Sequence, residues 1–427
     1  MEYQQLNVDT VGGYIASLPE MKEILSSFDD LDIAEIGDGN LNFVFTITNR
    51  KSPDETVILK QAVPFLRVVG ESWPLSRERM NTEIAALRYQ SSVCPELVPR
   101  VYHASGDMSL VVMQNLNDHR ILRGEIMKGK RFPRFPDDAA RFLARTLFHS
   151  SDFYLSSEEK KELTADRVNT ELCRITEDFV FTHPYEDNET NEYNPALSGD
   201  AVALIQKDAA VRAAVGEMKY AFMTQAEALL HGDLHIGSVM ANERETYFID
   251  PEFAFVGPMG FDIGALIGNL YLAYFSHDYR QRQMGNDPAP YRRWLLDCVE
   301  RIWEGFSKEF CTLWRQREQE NPPPFIGADL GSGGAEAFRQ QFMSRLLADS
   351  IGFAACKMMR RIVGLAKVAD IAGIEDPQER ARAEENALRM GARMVVGRRA
   401  FASIRAVNDL AEEISPLQGS GKGGASG

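Results

Sequence analysis

The sequence predicts an α+β chain of two unequal lobes: a small β-rich amino-terminal lobe with one main helix, and a large, mostly helical carboxy-terminal lobe. Three observations lead there. Alternating apolar residues crowd the first part of the chain, helical stripes fill most of the rest, and one short hairpin flanked by acidic residues interrupts those helices. At 427 residues the chain is too long for one ordinary core and about right for two lobes, which implies a cleft.

From Ile33 to Val63 the pattern is strand-like. Leu41, Phe43, Phe45 and Ile47 alternate with mostly polar neighbours, a turn spans Arg50 to Glu55 with Pro53 inside it, and Val57 to Val63 is a second β-rich run. Ser76 then caps a predicted helix on which Met80, Ile84 and Leu87 share a face, followed by strands at Val98 to His103 and Leu110 to Met113. After Asn115 the pattern turns helical. Between Asp137 and His149, Ala139, Phe142, Leu143, Thr146 and Leu147 form a continuous stripe. The acidic stretch His183 to Asn194 reads as a loop, and Val239 to Ala241 and Tyr247 to Ile249 as a hairpin joined by NERET. The expected division is 1–115 for the small lobe and 116–416 for the large one, with a disordered tail at 417–427.

Composition excludes several classes. A net charge of -15 and a pI near 5.1 argue against a nucleic-acid partner, which would call for a basic face. Cys94, Cys173, Cys298, Cys311 and Cys356 are odd in number and form no CxxC pair, which suits a reducing, cytoplasmic compartment and indicates neither a disulfide framework nor a zinc site. The amino terminus lacks the basic and apolar regions of a secretory signal. The longest apolar run, Ile263 to Phe275, is short of the roughly 20 residues of a membrane span and reads as a buried helix, so no membrane partner is expected.

The chemistry concentrates at the two ends of the hairpin. HGDLHIGS places Asp233 seventeen residues before Asp250 of Asp250, Pro251 and Glu252. Phosphoryl transfer to an alcohol needs one carboxylate to orient the hydroxyl and accept its proton, and others to hold the metal that neutralises phosphate charge; Asp233 and Asp250 suit those tasks. The order resembles that of protein kinases, with HGD for HRD and DPE for DFG. Alone, HGD describes a turn whose Asp bonds to backbone. Other features stand in the same order: Gly37 and Gly39 in GDGNLNFVF for close approach to phosphates, Lys60 on a β-run, and Glu83 on the next helix at the spacing of the kinase Lys–Glu pair. Gln114, Asn115 and Leu116, where the chain passes between lobes, are the candidate adenine hinge. ATP and Mg2+ are therefore the expected cofactors. Ser238 stands where protein kinases place a metal-binding Asn, so Asp250 and Glu252 are expected to share the metal. His235, with His231 the other histidine nearby, is read as structural. Asp262 is expected to accept backbone N–H bonds from the catalytic loop and so fix Asp233.

These residues resemble those of the aminoglycoside phosphotransferase and choline kinase superfamily, and within it the 5-methylthioribose kinases. The resemblance is carried by GDGNLNFVF, by Leu59 to Glu83 (LKQAVPFLRVVGESWPLSRERMNTE), by HGDLHIGS, by DPEFAFVGPMGFDIG and by GFAACKMMRRIVGLAKVAD, and spans nearly the whole chain. It implies a bilobal, protein-kinase-like homodimer that phosphorylates the 1-hydroxyl of a small sugar, 5-methylthioribose, in methionine salvage. It places Asn40, Lys60 and Gln114 to Leu116 at the nucleotide, Asp250 to Glu252 at metal and phosphates, and Asp233 at the sugar. It also adds Arg360 and Arg361 as substrate residues. From geometry alone, adjacent helical arginines point about 100° apart and should not both be buried on one apolar face. Trp73 lies in a loop special to the resemblance, either as a lid or as a packed aromatic. Two other readings keep some of these features: a related kinase acting on an aminoglycoside, choline or another small alcohol, and a catalytically silent nucleotide-binding pseudokinase.

Overall fold

The computed structural model describes residues 3–37, 41–66, 70–320 and 331–417. Gly39 and Asn40, the Trp73 side chain and the tail from residue 418 onward lie outside the described residues. In the small lobe, helix α1 (Val11–Ser17) precedes strands β1 (Leu31–Glu35), β2 (Asn42–Asn49) and β3 (Ser52–Ala62). A ribbon of β4 (Phe65–Leu66) and β5 (Gly70–Pro74), helix α2 (Arg79–Val93), and strands β6 (Val101–Ser105) and β7 (Leu110–Gln114) follow. One antiparallel sheet runs in the order β1-β2-β3-β7-β6.

Alternate residues of β3 serve opposite faces of this sheet. Val57 and Leu59 enter a core completed by Val11, Ile15, Leu18 and Met21 of the amino-terminal segment. Lys60 and Ala62 face the other way, toward α2. Gln61 lies on the first face, where its buried side chain accepts the Leu6 N–H at 2.8 Å and donates to the Gln4 and Met108 carbonyls at 2.9 and 3.0 Å. That amide stitches the amino-terminal strap to the strand that carries Lys60.

Three local expectations in the small lobe differ from the structure: the strand read at Val98 to His103 runs instead over Val101–Ser105, and two others concern turns. The turn predicted at Arg50 to Glu55 shrinks to Arg50 and Lys51, and Pro53 lies within β3. Asn49 pairs with Ser52 but Thr48 with Thr56, so Pro53 to Glu55 bulge out of the ladder, where a missing N–H forfeits no hydrogen bond. Ser76 does not cap α2. Its hydroxyl accepts the Glu78 N–H at 3.1 Å in a turn just ahead of the helix.

In the large lobe β8 (Arg120–Ile121) pairs with β10 (Val239–Ala241), so the chain leaving β7 is fastened to the hairpin that β10 makes with β11 (Thr246–Phe248). β11 starts one residue earlier than the sequence pattern suggests, because the Asn242 side chain accepts the Arg244 and Glu245 amides and tightens the turn. Helices α3 (Leu122–Met127), α4 (Phe135–His149), α5 (Ser157–Asp166), α6 (Thr170–Phe181), α7 (Gly199–Gln206) and α8 (Ala209–Thr224) come before it. Phe142 of α4 stacks on Phe248 at 4.2 Å between centroids, anchoring the hairpin. A two-stranded pair, β9 (Ala228–Leu229) with β12 (Val256–Gly257), brackets the region.

The remaining helices are α9 (Met259–Gln283), α10 (Pro288–Glu320), α11 (Gly331–Val363), α12 (Ala369–Ala372), α13 (Pro377–Gly397) and α14 (Ile404–Ile414). Ile263 to Phe275 lies entirely buried in α9, and no described helix is long and apolar enough to cross a membrane. Leu417, placed in the tail by the sequence pattern, is half-buried against the large-lobe core. The five cysteines are free thiols. On α9, Gly260, Gly264 and Gly268 repeat every fourth residue and meet the α11 backbone: a Cβ on Gly264 would sit 2.5 Å from the Ser350 carbonyl oxygen, and one on Gly268 2.8 Å from that of Ala354. Gly264→Ala is therefore expected to destabilise the chain by about 1–3 kcal/mol, read as a lower Tm. Gly216→Ala on α8, where nothing lies within 4 Å, should be neutral or stabilising.

Candidate active site

The turn at residues 231–233 is shaped by Gly232, whose φ of +84° favours glycine and whose missing Cβ leaves room for the Phe253 carbonyl. Beneath it Asp262, in the first turn of α9, accepts the His231 N–H at 2.6 Å and the Gly232 N–H at 3.0 Å. Burial pushes the Asp262 carboxyl up, with His231 and the two amides opposing. His231 Nε2 donates to the Ile249 carbonyl at 2.9 Å, tying the loop to the far end of the hairpin.

Asp233 projects from this turn. Its Oδ1 accepts from Lys357 Nζ at 2.7 Å, its Oδ2 lies 3.5 Å from His235 Nε2, and its backbone carbonyl accepts from Ser238 Oγ at 3.1 Å. Burial opposes its charge, but Lys357, Arg361 and Arg360 outweigh that and hold the carboxyl well below the ordinary range. Asp233 is thus ionised at neutral pH. His235 Nδ1 accepts the Gly237 N–H at 3.1 Å, which leaves the ring proton on Nε2, facing Asp233. Burial and the Arg123 and Arg361 charges keep His235 neutral despite Asp233.

At the other end of the hairpin, Asp250 adopts φ +70°, unusual for a side-chain-bearing residue and a mark of a constrained site. Lys60 Nζ ion-pairs with Asp250, with Glu83 at 2.8 Å and with Glu252 at 3.8 Å. Burial alone would depress the ammonium, but the three carboxylates hold it above its usual value. Burial and the neighbouring Asp250 charge raise both Glu83 and Glu252. The Arg79 guanidinium acts on Glu83 and Glu252 as well, but two cations do not neutralise three carboxylates. Carboxylate oxygens of Glu83, Asp250 and Glu252 lie within 4.8 Å of one another, and the buried Glu83 Oε2 has no hydrogen-bond partner. This oxygen-rich set suits a hard divalent cation. Glu252 is also held from the small lobe: Asn42 Nδ2 donates to its Oε2 at 2.7 Å, and Arg79 grips Asn42 Oδ1 at 2.9 Å and the Leu41 carbonyl at 2.8 Å.

The last turns of α11 form the third wall. Arg360 and Arg361 are both buried, against the geometric expectation. The end of α11 is enclosed on all sides: α9 packs on one flank, Gly391 of α13 meets Met359 and the Ala355 carbonyl on another, and the Glu192 N–H donates to the Val363 carbonyl across the tip. Each guanidinium therefore enters protein interior. Lys357, Arg360 and Arg361 are spaced i, i+3, i+4 and share the face toward Asp233. Arg123 adds a fourth cation, bonded to Asp370 at 2.5 Å and to Asn269 at 3.0 Å.

With this geometry in view, the sequence pattern of the phosphotransferase enzyme family matches residues 32–294. Methylthioribose kinase 1 of Oryza sativa subsp. japonica is 41% identical over 407 residues, 94% of this chain and 94% of that one. The methylthioribose kinase of Escherichia coli O45:K1 (strain S88 / ExPEC) is 41% identical over 411 residues, 95% and 96% of the two chains. That of Geobacillus kaustophilus (strain HTA426) is 41% identical over 367 residues, 86% and 87%. The chain belongs to the methylthioribose kinase family. It is an ATP-dependent small-molecule kinase of the phosphotransferase enzyme family, with the kinase-like α+β fold expected from the sequence.

In this methylthioribose kinase family member, the structure brings Asp233 together with Arg360 and Arg361, and Lys60 with Glu83, Asp250 and Glu252. Pro251 lies between the last two. Gln114 closes β7, where its N–H donates to the Arg100 carbonyl at 2.8 Å. Asn115 Nδ2 donates to Thr56 Oγ1 at 2.9 Å, and the buried Leu116 follows where the chain enters the large lobe. Ser238, bonded to the Asp233 carbonyl and 3.0 Å from His235, braces the loop. Sequence reasoning missed Lys357, Arg123, Arg79 and Asn42. Only Lys357 left a signal, its i, i+3, i+4 spacing with the two arginines. Asp262→Ala would leave two buried amides unpaired, at about 1–3 kcal/mol each. The expected outcome is a lower Tm together with a reduced kcat, read by thermal melting and steady-state kinetics.

Proposed function

We propose that this kinase transfers the γ-phosphoryl group of ATP to the 1-hydroxyl of 5-methylthioribose, giving 5-methylthioribose 1-phosphate, a step of methionine salvage. The observation that carries this reading is the pairing across one hairpin of an ionised carboxylate beside a basic pocket, Asp233, with a carboxylate cluster around Lys60. Kinship with methylthioribose kinases along nearly the whole chain supports the acceptor. The division into residues 1–115 for nucleotide and 116–416 for the catalytic loop and sugar belongs to the same reading, as does a cytoplasmic homodimer.

In the proposed reaction Asp233 orients the acceptor hydroxyl and takes its proton as the new O–P bond forms. Its depressed basicity suits a late transfer, when the alcohol oxygen has already begun to bond to phosphorus. Arg360 and Arg361 hold the sugar and offset the charge of the transferring group. Asn40 and Lys60 contact the nucleotide, and Gln114, Asn115 and Leu116 meet the adenine. Asp250 and Glu252, on either side of Pro251, would hold Mg2+, with Glu83 remaining the partner of Lys60. Magnesium there would neutralise phosphate charge, which the surplus carboxylate charge at this site favours.

Asp233→Asn is expected to lower kcat by about 10²–10⁴-fold with little change in ATP binding; turnover like that of the unaltered chain would remove Asp233 from the role of base. Methylthioribose should be phosphorylated with a higher kcat/KM than ribose, by about 10–200-fold for a contact the size of the methylthio group. Equal values would move the reading to a less selective sugar kinase.

A further inference from the structure

We propose that Lys357 is a positioning residue for phosphoryl transfer: its ammonium grips one oxygen of Asp233 and thereby presents the other, ionised, to the acceptor hydroxyl. The inference rests on the reading of Asp233 as base. Lys357 Nζ lies 2.7 Å from Asp233 Oδ1, and the side chain is only 4% exposed. On its other side the ammonium stands 4.7 Å from the centroid of Phe261, an aromatic face that stabilises a cation. Asp233 is its one ion-pair partner among the described residues. The helix that carries Lys357 is fixed one turn earlier, where α11 packs backbone to backbone against α9 at Ala354.

The second oxygen is left differently. Oδ2 is 3.5 Å from His235 Nε2, too long for a strong hydrogen bond, so it keeps lone pairs for a substrate hydroxyl. A carboxylate clamped at one oxygen and open at the other is oriented by the clamp. The titratable groups around Lys357 are Asp233 and the neutral His235 from the loop, Asp262 from α9, and Arg360 and Arg361 from its own helix. Burial and the two arginines press Lys357 down to about 8 from its ordinary 10.5, while Asp233 opposes. The clamp is charged at neutral pH and opens as pH rises through about 8. Since the folded-state value lies below the unfolded one, the burial of this charge costs stability below about 8, and that cost is relieved as pH rises from about 8 toward 10.5. Activity and stability therefore move in opposite directions there, which a purely structural lysine would not produce.

The test compares the full chain with Lys357→Met, Lys357→Arg and Asp233→Asn, using ATP, Mg2+ and methylthioribose from about pH 6 to about pH 9.5. Lys357→Met is expected to lower kcat by about 100-fold, to leave the KM for ATP within about twofold, and to abolish the alkaline fall near pH 8 seen in the unaltered chain. Lys357→Arg should recover at least about tenfold of the loss. Lys357→Met activity within about threefold of the unaltered chain, with its alkaline limb intact, overturns the inference. If Asp233→Asn is inactive in that case, only the Lys357 inference falls; an active Asp233→Asn removes the base assignment and the inference together. Should Lys357→Met lack a cooperative melt, the unaltered chain decides: a limb near pH 8 supports the clamp, and a flat profile overturns it.

Discussion

The site depends on two helix backbones touching. Gly260, Gly264 and Gly268 give α9 a face without side chains, and α11 lies directly on it at Ser350 and Ala354. Any larger residue would hold the helices apart, and close-packed interiors do not absorb such a shift. From that contact α9 delivers Asp262 under the HGD turn, while α11, one to three turns later, delivers Lys357, Arg360 and Arg361. A lysine on a more distant helix would have to solvate its charge in some other way. Here the short reach places ammonium against carboxylate at 2.7 Å.

Charge is distributed unevenly between the two ends of the hairpin. At one end three carboxylates share the Lys60 ammonium and the Arg79 guanidinium, and at the other four cations, Arg123, Lys357, Arg360 and Arg361, face Asp233 and Asp370. Buried charges are tolerated only when paired, so each end is short of its complement. The acidic end calls for a cation and the basic end for an anion. The hairpin β10–β11 fixes the separation of the two ends, and Phe142 stacked on Phe248 fixes the hairpin.

Much of this was legible because it is local. HGD and DPE are close in sequence, the hairpin between them obeys period two, and Lys60 with Glu83 follows a strand-then-helix order that a sheet and its neighbouring helix must realise. Asp262 was legible as a carboxylate able to take loop amides, since GFDIG begins a helix just beyond DPE. What escaped was long-range. Lys357 meets Asp233 across 124 residues of chain, and no periodicity reports which loop a helix tip will approach. The twin arginines were misjudged for the same reason: the angle between them was right, but the enclosure of α11 by α9, α13 and the 183–194 loop was invisible. Pro53 looked like a turn because the sequence does not reveal a bulge.

Gln61 and Lys60 are neighbours on one strand with opposite duties. The amide faces outward to clasp the leading segment at Gln4 and Leu6, and the ammonium faces inward to the acidic trio. A strand cannot shift one of its sides alone. Loosening the first few residues would therefore unseat a charged group on the far side of the sheet, and the leading segment acts as a backstop for an ion-pair cluster it never touches.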